Sequence, residues 1–166
     1  MAPCTRLLAP RRATWETTRR LFAHARDAGI PTSLDASSVG ALSSWGPEES
    51  RLQFAELAPT LVFANEEECD YLDLIDRPLP ASILIAKHGA GIAEVRSASG
   101  QQIAALPAHP LPPGIDSTGA GDAFAGGLLV ARARGKSWED ALAAGHDAAA
   151  GHLQRQAAQS EEREAK

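Results

Sequence analysis

The stretch Gly114-Ile115-Asp116-Ser117-Thr118-Gly119-Ala120-Gly121-Asp122-Ala123-Phe124-Ala125-Gly126-Gly127 decides how this chain is read. Pro107, Pro110, Pro112 and Pro113 precede it and the apolar run Leu128-Leu129-Val130-Ala131 follows, so a loop turns into a buried helix. Gly119 and Gly121 let the backbone come close to a ligand. The first free N–H groups of the helix then point outward as an anion site. Asp122 falls in that first turn, where the helix dipole favours a negative charge. Amide donors beside a carboxylate suit phosphoryl transfer: the amides hold the phosphoryl group while the carboxylate takes a proton from the attacking hydroxyl.

Two other glycine loops do not fit. A Walker-type loop needs Gly-x-x-x-x-Gly-Lys-Ser/Thr, and Gly114 and Gly119 have the spacing, but Ala120 stands where lysine is required. A dinucleotide fingerprint needs a third glycine three residues after Gly121, and that position is Phe124. A structural alternative is a glycine-softened helix start capped by Asp116, Ser117 or Thr118. Spacing alone leaves this and the anion site both open.

The run Asp116-Ser117-Thr118-Gly119-Ala120-Gly121-Asp122-Ala123-Phe124 closely resembles the C-terminal signature of the ribokinase-like carbohydrate kinases, the PfkB family. The resemblance implies that Asp122 is the catalytic base and that Gly119, Ala120 and Gly121 form the anion hole for the transferred phosphate. It also implies an ATP-dependent kinase acting on a hydroxyl of a sugar or nucleoside with Mg²⁺. Supporting segments extend from about Trp15 to Leu153.

The remaining composition agrees with one soluble domain. The chain has 166 residues and a net charge of −5 with no basic stripe, which argues against nucleic acid as the main partner. No apolar run approaches the ~20 residues of a membrane span. The N-terminal arginines lack the apolar core of a secretory signal. Cys4 and Cys69 form no metal or redox motif, so the expectation is two free thiols in a cytoplasmic protein.

In order, residues 1–13 are rich in Pro and Arg and read as a loose segment. Thr14 is expected to cap a helix from Trp15 to about Ala28, with Trp15, Leu21, Phe22, Ala25 and Ala28 inward and Gly29 ending it. Ile30 to Leu34 reads as a strand closed by Asp35. Asp35 would sit either at the ligand edge of an open sheet or in a plain Asx turn. Pro47 opens a helix that Pro59 stops, and Leu61-Val62-Phe63-Ala64 is a buried strand. Asn65 and Glu68 have the spacing of a capping box. The resemblance adds a role for Asn65 and Glu68 in organising Mg²⁺, through water.

Ser82 to Lys87 reads as a third, parallel-type strand around the continuous apolar run Ile83-Leu84-Ile85-Ala86. The resemblance places Lys87, Gly89 and Gly91 beside the nucleotide, although Ile92 stands where the family's loop has its second glycine. Ile92–Arg96 and Gln101–Leu106 alternate around Ser99-Gly100 as a hairpin, read either as a loop over adenine or as a sheet-edge ornament. A helix from Ala120 ends near Gly135. Ser137 then caps a last helix running to about Gln156, followed by a charged, frayed tail. The resemblance places His146 near adenine, against a core or solvent-facing histidine. In part of the family the aspartate at the place of Asp116 holds a potassium-like ion, and loop capping explains Asp116 equally well.

The expected fold class is α/β, a three-layer Rossmann-like core of ribokinase type with the family's N-terminal half and β lid missing. Residues 14–158 would form this partial kinase domain and 159–166 the tail. Loss of half a sheet would expose apolar surface near Ile30–Leu34 and Leu61–Ala64. The chain would then pair as a homodimer or with the missing half. The alternative function is a non-catalytic nucleotide-binding fragment or an inactive subunit.

Overall fold

The computed structural model describes residues 12–110 and 116–164, with side chains for 14–110 and 116–159. Cys4, the N-terminal residues 1–11 and the Gly114-Ile115 opening of the glycine stretch lie outside the described residues. The described chain forms α1 (Arg12–Asp27), β1 (Ser33–Asp35), α2 (Val39–Leu42), α3 (Pro47–Leu57), β2 (Leu61–Asn65) and α4 (Glu66–Tyr71). Then follow β3 (Ile83–Lys87), β4 (Ile92–Arg96), β5 (Gln102–Pro107), α5 (Ala120–Ala133) and α6 (Trp138–Glu164). The strands make one five-stranded sheet in the order β1-β2-β3-β4-β5. This is the expected α/β class.

The chain divides into two compact units. The first runs to His88 and includes Glu94–Ile103; the second holds Gly89–Ala93 and the chain from Ala104 onward. In the first unit, β1, β2 and β3 pair in parallel, with Ser33 beside Leu61, Leu61 beside Ile83 and Asn65 beside Lys87. Parallel strands are covered on both faces, and the residues of β2 show it: Leu61, Val62, Phe63 and Ala64 are all buried. The expected apolar exposure at Leu61–Ala64 is therefore absent. Leu34, Val62, Ala64, Leu84 and Ala86 pack with Leu42, Phe54, Leu57 and Leu72 into one core, against which Trp15 and Phe22 of α1 rest.

Several boundaries differ from the sequence reading. Helix α1 begins at Arg12, so Thr14 lies inside it rather than at its cap. Leu21 is 64% exposed. At about 100° per residue it falls off the stripe Trp15, Thr18, Phe22, Ala25 that faces inward. Ala28 is also exposed. Ile30 does not join β1 and is 57% exposed, because its amide donates to the Ala25 carbonyl at 2.8 Å and so completes the cap of α1 around left-handed Gly29. Strand pairing starts only at Ser33. Helix α2 was not anticipated; Ser38 caps it through its hydroxyl.

In the second unit, α5 buries Phe124, Leu128 and Ala131, a stripe spaced for one helical face. It packs along α6, where Gly127 lies so close to Ala144 and Ala148 that an added Cβ would stand 2.8 Å from the Ala148 Cβ. Ser137 caps α6 by accepting from the Asp140 amide at 3.1 Å. The Arg132 guanidinium, 4.0 Å from the Trp138 ring, spans the turn between the two helices. Helix α6 continues to Glu164, so the backbone of residues 160–164 is helical and not a frayed tail.

Candidate phosphoryl-binding and catalytic residues

In the first unit the carboxyl ends of the parallel strands collect Asp35, Asn65 and Lys87. Such strand ends are where open α/β sheets bind ligands. Asp35 does two things at once. Its Oδ1 accepts from the Ser37 amide at 2.8 Å, an Asx turn that supports the left-handed Ser37 at φ 79°. Its Oδ2 accepts from Lys87 Nζ at 3.0 Å. The Lys87 ammonium also lies 5.8 Å from the Phe63 ring centre. Lys87 and Asp35 are far apart in sequence, and no local pattern announces this pair.

Asn65 and Glu68 form a complete capping box at the start of α4. The Asn65 amide donates to Glu68 Oε2 at 2.8 Å and Asn65 Nδ2 to Glu68 Oε1 at 3.0 Å, while the Glu68 amide donates to Asn65 Oδ1 at 2.9 Å. Glu68 is only 2% exposed, and that burial pushes its carboxyl above the usual carboxylate range. With both oxygens engaged and covered, Glu68 does not fit a direct Mg²⁺ ligand. Asn65 itself is exposed. Among the described residues no group of three or more His, Cys, Asp or Glu side chains could hold a metal ion. Nearby Cys69 is a buried free thiol, pushed up to about 12 mainly by that burial, which makes it unreactive.

In the second unit the glycine turn takes the shape that glycine permits. Gly119, at φ 82° and ψ −6°, occupies the N-cap position of α5 in the left-handed region, and no side chain caps the helix there. The alternative of a side-chain cap by Asp116, Ser117 or Thr118 is therefore not formed. Asp116 instead folds the loop, its Oδ1 accepting from the Thr118 amide at 2.9 Å and the Thr118 hydroxyl at 2.7 Å. These two donors, the hydroxyl foremost, hold the Asp116 carboxyl below its ordinary value. The Ala120 amide donates to the Ser117 carbonyl at 3.1 Å and the Ala123 amide to the Gly119 carbonyl at 3.0 Å. The amides of Gly119, Gly121 and Asp122 have no partner among the described residues. The Asp122 carboxylate is exposed in the first turn beside them.

Helix α6 reaches this turn twice. His152 Nε2 lies 3.0 Å from the Thr118 carbonyl oxygen, and Gln156 Nε2 donates to Asp116 Oδ2 at 3.2 Å. Neither residue stands out in the sequence, since nothing local marks a contact across 34 or 40 positions. His146, by contrast, is a core residue: it is 7% exposed, with Nε2 3.1 Å from the Leu106 carbonyl and its ring edge-on to Phe124 at 5.1 Å. Burial holds it below the usual histidine value. Gly89 is left-handed at φ 57° with open space around it, and the Gly91 carbonyl accepts from the Ala108 amide at the root of the β4–β5 hairpin.

Among the described residues no helix is long and apolar enough to cross a membrane. Comparison with curated proteins gave no match. Among solved structures, adenosine kinase from Schistosoma mansoni in complex with 2-fluoroadenosine superposes with a TM-score of 0.71 at 21% identity, over 84% of this chain and 46% of that one. Adenosine kinase from Anopheles gambiae in complex with P1,P4-di(adenosine-5) tetraphosphate gives the same values, 0.71, 21%, 84% and 46%. A PfkB protein from Polaromonas gives 0.64 at 26% identity over 82% of this chain and 47% of that one. The chain thus spans a little under half the length of the solved structures it matches. The model of the pfkB family carbohydrate kinases matches residues 79–165, just over half of the chain and including the whole glycine turn with α5. The chain belongs to the pfkB family of carbohydrate kinases.

Proposed function

We propose that the chain binds ATP with Mg²⁺ and carries the phosphoryl-transfer end of a kinase for a sugar or nucleoside. The observation that carries this reading is the turn at Gly119. It leaves the Gly119, Gly121 and Asp122 amides without partners among the described residues at a helix start, next to an exposed carboxylate. There the amides would hold the transferred phosphoryl group. The acceptor hydroxyl oxygen would bond to the γ-phosphorus as the bond to the β–γ bridging oxygen breaks, its proton passing to Asp122 and ADP leaving.

Mg²⁺ would supply charge neutralisation on the nucleotide phosphates. It usually keeps several waters and is held through few carboxylates, so Asn65 would meet it through water while Glu68 holds Asn65 in place. Lys87, Gly89 and Gly91 would lie along the nucleotide. His146 would act from behind, as a buried support for Phe124 on α5.

Titration calorimetry with Mg-ATP tests the reading. Saturable binding by the folded chain at millimolar nucleotide or below is expected. A flat trace on protein with a helical circular dichroism spectrum sinks it. Phosphoryl transfer to adenosine or ribose, measured alongside, separates a kinase from a module that holds nucleotide without turnover.

A further inference from the structure

The oxygens that a monovalent cation would need at the glycine turn are already engaged. Asp116 Oδ1 accepts from the Thr118 amide and hydroxyl, Asp116 Oδ2 accepts from Gln156 Nε2, and the Thr118 carbonyl accepts from His152 Nε2. A carbonyl oxygen only accepts, so the proton of this last bond is on His152 Nε2. His152 and Gln156 are one helical turn apart on the same face of α6 and reach the loop together. The fit is close: a Cβ on Gly119 would stand 2.8 Å from His152 Nε2. A cation at this place would have to compete with two N–H donors for both oxygens, so the residues present do not fit the potassium-like ion expected for Asp116.

We infer that His152 and Gln156 are positioning residues that do the work of a monovalent cation in this chain, holding the Asp116–Gly119 turn in its shape without potassium. Donors from the helix replace the positive charge that would otherwise bind these oxygens. The order of the turn is then built into α6 and does not depend on the salt present. The inference concerns the same turn as the proposed nucleotide site, and its nucleotide arm rests on that reading. Its loop arm does not.

Hydrogen exchange of the backbone amides of residues 116–123, followed by mass spectrometry, tests the loop arm in the full chain without nucleotide. The wild type is measured in potassium chloride and in tetramethylammonium chloride at equal ionic strength. Equal protection of the turn in both salts is expected. His152→Ala and Gln156→Ala should each speed exchange there by about two- to tenfold, the scale of one ordinary hydrogen bond, while α1 and β2 stay unchanged. His152→Gln, which keeps a donor of similar reach, should restore part of the protection. Protection that rises with potassium in the wild type, or that is unchanged in both alanine variants, overturns the inference. In the nucleotide arm, the Mg-ATP affinity should be the same in the two salts. A wild type that binds no ATP in either salt counts against the proposed function alone, since the loop arm still decides the role of His152 and Gln156.

Discussion

Asn65 and Glu68 hold each other from both sides: Glu68 Oε2 accepts the Asn65 backbone N–H at 2.8 Å, and Asn65 Oδ1 accepts the Glu68 backbone N–H at 2.9 Å. Reciprocal bonds of this kind satisfy two donors that a helix start otherwise leaves open. They also explain how a nearly fully buried carboxylate is tolerated, since its oxygens meet donors in place of water.

The first prediction follows from that pair. Asn65→Ala removes the cap and leaves Glu68 Oε1 without its side-chain donor. Urea unfolding should show a loss of about 1–2 kcal/mol. If the pair also serves the nucleotide, Mg-ATP affinity should fall further than partial unfolding explains. Binding unchanged in folded Asn65→Ala would confine the pair to capping.

The capping box was legible in the sequence because its partners are three residues apart and its chemistry is local. The glycine turn was legible for the same reason. What the sequence could not show were contacts closed by the fold. The pair of Asp35 with Lys87 depends on the register of β1, β2 and β3, and the reach of His152 and Gln156 to the turn depends on how α6 lies beside α5. Ile30 is apolar and so resembles the start of β1, yet its amide is spent on the cap of α1. Local apolar character does not record that competition. The end of the last helix is hidden in the sequence because the charges at Glu161, Glu162 and Arg163 resemble a frayed tail, whereas Glu and Arg are good helix formers.

Neighbouring glycines in α5 should respond with opposite sign. Gly126 is exposed, and an added Cβ meets nothing within 4 Å. Gly126→Ala should stabilise by about 0.5–1 kcal/mol through the lower chain entropy of alanine. Gly127 faces Ala144 and Ala148, so Gly127→Ala must push α5 and α6 apart and should cost about 1–3 kcal/mol. Thermal melting of the two variants beside the wild type checks both signs. Equal shifts would mean that the two helices are not packed as described.

His146 should give the stability a pH dependence. Its folded pKa lies below the ordinary 6.5, chiefly through burial, so the unfolded chain takes up a proton before the folded one does. The contribution of neutral His146 is therefore fully present above about pH 6.5 and is lost as pH falls through the folded value, with a slope of at most about 1.4 kcal/mol per pH unit. His146→Asn should be less stable at neutral pH, having lost ring contact with Phe124, but its stability should fall less steeply on acidification. Denaturation curves from about pH 8 to pH 5 compare the two slopes. Parallel slopes would place the titration on other groups.

The last prediction concerns Asp122. Asp122→Asn keeps the size of the side chain and leaves the Gly119, Gly121 and Asp122 backbone amides in place, but it removes the proton acceptor. In an assay of phosphoryl transfer to a nucleoside or sugar, turnover should fall by about 10²–10⁴-fold, the usual worth of a general base. Mg-ATP affinity should change little. Gly119→Ala should behave differently, because alanine is strained at φ 82° and its Cβ would run into His152. That variant should lose nucleotide binding and turnover together, as expected when the shape of the turn is lost and not only its chemistry. The comparison has three distinct results. Turnover lost with binding kept makes Asp122 the base. Wild-type turnover in Asp122→Asn reduces the turn to a phosphate cradle. Binding without turnover in the wild type itself assigns this chain to holding nucleotide and not to transferring phosphate.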